Sequence, residues 1–176
     1  MHPWFKALTT FLLATVWLTG CASSPSRVSV PIAGGQAVEL ARKSTGFKQA
    51  ENDRVAITDA SLQVVNLNGN DYVRWRFAIS PKKATMFSSV RIEDVSDPAP
   101  LVLVNDVAPQ LDSGQWTASA GLMDLSSAGV RWLFESKESV RVFRFTISEP
   151  DGQNYALYQA VQYTPASKNA IRAMVR

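Results

Sequence analysis

The stretch Ser61–Ile79, SLQVVNLNGNDYVRWRFAI, carries the strongest fold signal in the chain. Asn68-Gly69 at its centre is typical of a two-residue type I′ turn, because both turn positions need a positive φ. Counting outward from this turn places the apolar residues of both arms on one face of a β-hairpin, so turn chemistry and hydrophobic pattern indicate the same register. The predicted pairs are Leu67 with Asn70, Val64 with Val73, Leu62 with Trp75 and Ala60 with Phe77.

A second hairpin is predicted from Val140–Ser148 and Gln153–Tyr163, joined by the turn sequence EPDG. Proline presets φ for a type I turn, and the glycine supplies the left-handed position that closes a three-residue loop. This loop produces two cross-strand pairs in which both residues are apolar or aromatic. The third pair places a phenylalanine opposite a glutamine. The pairs are Ile147 with Tyr155, Phe145 with Leu157 and Phe143 with Gln159.

Further short strands with turn signals between them indicate an all-β fold. Segments 90–95 and 101–105 are the clearest, and 115–120 and 130–134 are weaker. The segments 36–50 and 121–134 fit either strand or helix, and 166–175 has the apolar spacing of a short C-terminal helix. The pattern predicts a two-sheet antiparallel β-sandwich of about seven strands; the alternative is a partly open β-barrel. Trp75 with Val73 and Phe77 resembles the central strand of an immunoglobulin-like core, although the usual cysteine pair is absent.

The N-terminus has the features of an export signal. One lysine, Lys6, precedes the uncharged run Ala7–Leu18. Twelve helical residues span roughly 18 Å, well short of a hydrocarbon core of about 30 Å, so the run fits a signal peptide better than a membrane helix. The sequence Leu18-Thr19-Gly20-Cys21 that follows resembles the lipobox of bacterial lipoproteins with a type II signal peptide.

That resemblance implies a lipid anchor. In the family, the cysteine thiol receives a diacylglycerol, the chain is cleaved before the cysteine, and the new amine is acylated, which here would modify Cys21. Alanine at position 22 implies transfer to the outer membrane, with the folded domain facing the periplasm. The expected division is a signal peptide over 1–20, a lipidated cysteine and flexible tether over 21–35, and a periplasmic domain over 36–176. An ordinary secretory signal with a chance cysteine is the alternative.

The chain contains one histidine, His2, and one cysteine, Cys21. Processing at a lipobox would remove the first and acylate the second, leaving the mature chain without imidazole or free thiol. That loss argues against Ser-His-Asp and Cys-His catalysis and against typical zinc sites. The expectation is therefore a protein without enzymatic activity, metal or cofactor. A formal charge of only +3 also argues against a nucleic-acid partner.

Three weaker motifs remain. The acidic neighbours Glu93-Asp94 and Glu135/Glu138 could form the carboxylate pair of a histidine-free cell-wall glycan hydrolase, which needs a separation of about 5–10 Å. Ser80 and Lys83 match a bare S-x-x-K pattern, but Ser80 is expected to end a strand. The aspartates 94, 97, 106 and 112 have no EF-hand spacing and are expected in turns.

The outer faces of the two hairpins offer the candidate binding residues. Arginine and tyrosine combine apolar area with directed hydrogen bonds and are enriched at binding hot spots. We therefore hypothesise that one of these faces docks a protein partner. The alternatives are that arginine stems cover apolar surface beside a solvated head, or that segment 36–50 covers it. The candidates are Tyr72, Arg74 and Arg76 on the first hairpin and Arg144 and Tyr158 on the second.

These observations favour a non-catalytic, outer-membrane-anchored lipoprotein that binds protein or has an assembly or structural role in the cell envelope. The membrane, through acyl chains on Cys21, and an unidentified envelope protein are the expected partners. A periplasmic inhibitor or ligand carrier, acting through a loop such as Val107–Ser113, is one alternative. The glycan hydrolase is the other.

Overall fold

The computed structural model describes residues 26–84, 86–124 and 139–174. Those residues form ten strands and one α-helix, with a 3-10 turn at Ala33–Gly35 between the first two strands. The elements are β1 (Arg27–Ile32), β2 (Gln36–Lys43), β3 (Gly46–Phe47), β4 (Val55–Leu67), β5 (Asn70–Pro81), β6 (Ser89–Asp94), β7 (Leu101–Asp106), β8 (Trp116–Asp124), β9 (Ser139–Ser148), β10 (Asn154–Tyr163) and α1 (Pro165–Met174). The candidate strand at 130–134 lies outside the described residues.

Seven of the strands build an antiparallel β-sandwich. One sheet has the order β4-β5-β8, and the other has the order β10-β9-β6-β7. If β4 is labelled A and β7 is labelled C′, these orders become A-B-E and G-F-C-C′, the arrangement of an immunoglobulin-like sandwich. The prediction of an all-β sandwich is confirmed, and the described strands do not close into a barrel.

The two hairpin registers predicted from the sequence are confirmed. Asn68 and Gly69 have φ values of 53° and 84°, as a type I′ turn requires. All four pairs predicted for the first hairpin are present in the β4–β5 ladder. The three pairs predicted for the second hairpin are present in the β9–β10 ladder.

The main core lies between the two sheets and is rich in aromatic rings. Trp75 packs edge-on against Phe143 with 4.7 Å between ring centroids. Phe77 makes similar edge contacts with Phe143 and Phe145 at 5.3 and 5.7 Å. Ile171 of α1 joins the same cluster, so the predicted C-terminal helix is confirmed and packs on the sandwich.

The N-terminal strands form a third sheet, β1-β2-β3, which packs on the outer face of the four-stranded sheet. A second hydrophobic cluster there joins Ile32 and Phe47 of the third sheet to Val142 of β9 and Ala160 of β10. Segment 36–50, which the sequence left between strand and helix, therefore contributes β2 and β3. Residues 27–35 form β1 and the 3-10 turn, so the ordered domain begins nine residues earlier than the expected boundary at 36.

Gln159, the polar mismatch in the second hairpin, is buried opposite Phe143 because it holds the chain between β3 and β4 in place. Its side-chain carbonyl accepts a hydrogen bond from the Ala50 amide at 2.7 Å. Its amide group donates to the Lys48 carbonyl at 3.3 Å and to the Ala160 carbonyl at 2.8 Å. The glutamine therefore satisfies backbone groups that come from more than 100 residues away in the sequence.

Candidate functional site

The outer face of the β4-β5-β8 sheet carries the first three candidate residues. Strand alternation in β5 buries Val73, Trp75 and Phe77 in the core and turns Tyr72, Arg74 and Arg76 to the opposite side. The β4 residues directly across the ladder are Val65, Gln63 and Ser61. Tyr72, Val65 and Leu67 belong to neither hydrophobic cluster of the described residues. We call this surface, defined by Gln63, Val65, Leu67, Tyr72, Arg74 and Arg76, the open face.

The two arginines of the open face differ in how they are bound. Arg76 forms a loose ion pair with Asp59, with 3.6 Å between Nε and Oδ2, and both side chains are partly exposed. Arg74 has a buried Nε that makes no hydrogen bond, and it has no carboxylate partner within the described part of the chain. A buried donor without an acceptor costs about 1–3 kcal/mol. Because this donor is buried, an external partner would meet only the remainder of the half-buried Arg74 guanidinium, together with the exposed Arg76.

The other two candidates, Arg144 and Tyr158, lie on the outer face of the four-stranded sheet. Arg144 donates two hydrogen bonds to one carboxylate oxygen of Glu93, at 2.9 Å from Nε and 2.6 Å from an Nη. Arg91 donates to the other oxygen of Glu93 at 3.0 Å. Tyr158 packs against the cluster that joins this sheet to the N-terminal sheet. We call this surface, with Val142 and Ala160 beneath the N-terminal sheet, the covered face.

The electrostatics of the covered face are internally balanced. Burial alone would raise the pKa of Glu93, but hydrogen bonds and charge from Arg91 and Arg144 outweigh it and hold the pKa below its ordinary value. The hydrogen bond to Glu93 is also the main reason that the pKa of Arg144 is raised, against the opposing effect of burial. Both guanidinium groups are already engaged by one buried carboxylate.

The five candidate binding residues therefore fall on two opposite surfaces of the sandwich and do not form one site. Tyr72, Arg74 and Arg76 lie together on the open face, while Arg144 and Tyr158 lie on the covered face. Segment 36–50 packs over part of the covered face, which is one of the alternatives considered from the sequence. Binding by either group stays a prediction.

The acidic neighbours Glu93 and Asp94 point in opposite directions from β6, as alternation requires. Glu93 bonds to arginines on the outer side, and Asp94 pairs with Arg141 at 3.3 Å. Ser80 lies within β5 and accepts a hydrogen bond from Gln115 at 3.1 Å, so it does not begin a helix. Glu135 and Glu138 lie outside the described residues. Among the described residues, no three acidic, histidine or cysteine side chains gather in a group that could hold a metal ion.

The loop Val107–Ser113 borders a cleft of about 470 Å³ next to Met86 and Phe87. Met86 and Val107 are 72% and 73% exposed, and Leu111 also reaches solvent. Exposed apolar side chains around a concave surface are typical of binding regions. The loop could be recognised in the sequence but Met86 could not, because only the fold brings the β5–β6 connection beside the loop.

A group of four basic residues in the N-terminal sheet was also missed. Arg27, Arg42, Lys43 and Lys48 are exposed, and none of them forms an ion pair in the described part of the chain. Their sequence spacing is irregular, and they become neighbours only through the β1–β2 and β2–β3 pairings. We call this group the basic cluster.

Comparison with known proteins leaves the chain without an assigned family. No family model, curated protein or solved structure matches it significantly. The fold defines an antiparallel sandwich with an added N-terminal sheet. Across the described residues, no helix is both long enough and apolar enough to cross a bilayer. Cys21 and the signal-like segment lie outside the described residues.

Proposed function

We propose that this protein is a lipid-anchored periplasmic component of the cell envelope, held at the outer membrane through Cys21, that binds a partner protein without catalysing a reaction. The lipobox-like sequence ending at Cys21 supports the anchor. The open face supports the binding role, because a tyrosine and two arginines lie there together and, among the described residues, the only ion pair of these arginines is the loose one between Arg76 and Asp59.

The expected partner presents carboxylates to the open face. Arg74 forms no ion pair with any described residue, and the loose, partly exposed pair between Arg76 and Asp59 can exchange for a partner's carboxylate. Arginine forms bidentate hydrogen bonds with carboxylates that are stronger than bonds between neutral groups. Tyr72 and Val65 add apolar contact area beside these charges.

The test is photo-crosslinking in intact cells from a photoreactive amino acid at Ser61, which faces Arg76 across the β4–β5 ladder. We expect one discrete adduct, and the variant Arg74→Glu/Arg76→Glu should reduce it at least about tenfold, as loss of hot-spot residues does. The control Lys82→Glu/Lys83→Glu changes the charge equally and should retain the adduct. An adduct unaffected by the Arg74→Glu/Arg76→Glu change would remove the open face as the binding surface.

A second candidate function is that of an inhibitor or ligand carrier, favoured by the exposed Met86 and Val107 beside the cleft. In the same experiment, a photoreactive residue at Gln110 would then give the dominant adduct. The double change Met86→Ser/Val107→Ser would abolish it, whereas the open-face variant would leave it unchanged.

A further inference from the structure

Seven cations of the described domain are in ion pairs. Carboxylate partners are present for Arg54, Arg76, Lys82, Lys83, Arg91, Arg141 and Arg144. In the described part of the chain, the four exposed members of the basic cluster are left without one. The side chain of Arg42 makes uncharged contacts instead: it donates to Gln162 at 3.4 Å and stacks over Phe47.

The backbone holds these four cations together around one residue, Ala41. Arg27 is the ladder partner of Ala41, and the Lys48 amide donates to the Ala41 carbonyl at 2.8 Å. Arg42 and Lys43 follow Ala41 at the end of β2. Strand alternation therefore places Arg27, Lys43 and Lys48 on the outer face of the N-terminal sheet, whereas Arg42 leaves β2 on the opposite side, where it stacks over Phe47.

The carboxylates nearby do not neutralise the cluster. Glu51 and Asp59 border the clefts beside it, but they pair with Lys82 and Arg76. Only Glu39 of β2 remains, and it makes no ion pair within the described part of the chain. Three cations against one anion leave this outer face with a net positive charge.

The cluster also lies where the tether enters the domain. The Arg42 amide donates to the Ser26 carbonyl at 2.9 Å, so the first described residue is bonded to a member of the cluster. Five peptide units separate Cys21 from Ser26, and at full extension they reach at most about 18 Å. If Cys21 is acylated, as the proposed function requires, this surface is held within one short tether of the bilayer.

We propose that the outward-facing members of the basic cluster, Arg27, Lys43 and Lys48, bind the anionic phospholipid headgroups of the membrane to which Cys21 anchors the chain. Basic side chains near an anionic surface gain roughly fivefold in binding each, and a polybasic patch is an established second determinant beside an acyl anchor. Acyl chains on Cys21 would not by themselves determine which side of the domain faces the bilayer. The cluster instead sets the N-terminal sheet against the bilayer and leaves the open face, on the far side of the sandwich, directed toward the periplasm.

The first test uses the acylated protein reconstituted into vesicles. An amine-reactive reagent reports the exposure of each lysine, read by mass spectrometry of peptides. On vesicles of equal parts phosphatidylcholine and phosphatidylglycerol, we expect Lys43 and Lys48 to be protected relative to vesicles of phosphatidylcholine alone. Lys82 and Lys83 should label equally on both. Equal labelling of Lys43 and Lys48 on the two vesicle types would overturn the proposal.

The second test separates this proposal from the proposed acyl anchor. A chain beginning at Ala22 retains every described strand and the helix, and its cooperative thermal unfolding is checked first. We expect it to bind the phosphatidylglycerol vesicles but not the phosphatidylcholine vesicles, with loss of binding at high salt. Lys43→Glu/Lys48→Glu should weaken binding about 30-fold or more, while Lys82→Glu/Lys83→Glu, with the same charge change, should not.

The outcomes are distinguishable. If Cys21 is acylated in cells but the non-acylated chain ignores anionic vesicles, the basic cluster has no membrane role and the proposed anchor stands. If the non-acylated chain binds anionic vesicles but Cys21 carries no lipid, the cluster is a membrane surface and the proposed anchor fails.

Discussion

The two outer faces of the sandwich carry similar residues but differ in how those residues are packed and hydrogen-bonded. On the covered face, Val142 is 1% exposed beneath the N-terminal sheet, and Arg144 is bonded to a buried carboxylate. On the open face, Leu67 is 44% exposed and Arg74 has a buried donor without an acceptor. Alternating arginine and apolar residues on a strand therefore do not by themselves indicate a binding surface. The two faces differ in whether another part of the chain packs over them and in whether a carboxylate of the chain pairs with their arginines.

The largest expected difference is in packing. Phe47→Ala would remove the main aromatic contact between the N-terminal sheet and the covered face and should cost about 3 kcal/mol of unfolding free energy, as buried Phe→Ala changes do. The matched change on the open face, Leu67→Ala, should cost about 0.5 kcal/mol or less. Urea unfolding followed by tryptophan fluorescence measures both. Equal losses would mean that the open face is packed as tightly as the covered one.

The next largest expected difference is between the ion pairs of Glu93 and the ion pair of Asp59. Glu93→Gln removes a carboxylate that accepts three arginine hydrogen bonds and should cost about 2 kcal/mol. Asp59→Asn breaks the partly exposed pair with Arg76 of the open face and should cost less than about 1 kcal/mol, an effect that disappears at high salt.

The Glu93 pair also predicts a pH dependence. Because the pKa of Glu93 in the folded state lies below its ordinary value of 4.5, its stabilising contribution is complete above that pH. It is lost as the pH falls through the folded value. The unfolding free energy of the natural protein should therefore fall more steeply below pH 4.5 than that of Glu93→Gln. Parallel acid-denaturation curves would contradict the assignment.

The smallest expected effect is the change in stability when Arg74, whose proposed role is in binding, is replaced. Arg74→Met removes a buried donor that has no acceptor, so stability should be unchanged or rise by up to about 1 kcal/mol. Arg144→Met on the covered face should destabilise the fold, because Glu93 would lose two hydrogen bonds. Thermal unfolding of the two variants makes the comparison. A large loss of stability in Arg74→Met would show that this arginine serves the fold rather than a partner.

The sandwich could be predicted from sequence where local signals coincide. Asn68-Gly69 fixes the first register through turn chemistry, and the apolar alternation around Trp75 indicates the same pairing. The helix at Pro165–Met174 begins at a proline and carries an apolar stripe. These elements depend on residues close together in sequence.

The N-terminal sheet could not be predicted in the same way. In β2, the residues Val38 and Leu40 fit a strand while Ala37 and Ala41 fit a helix, so the choice is made by packing on β9 and β10. The role of Gln159 and the proximity of the basic-cluster residues also could not be predicted, because both depend on contacts between strands that the sequence does not reveal. For the candidate site, the strand faces were predictable, but the identity of the face that the chain covers was not.

The most direct test of the account is the intact mass of the protein extracted from cell membranes. We expect a chain that begins at Cys21, lacks residues 1–20 and carries the added mass of a diacylglycerol and an amide-linked acyl chain. A protein that still begins at Met1, or a processed chain without lipid on Cys21, would contradict the proposed anchor and the orientation inferred from it.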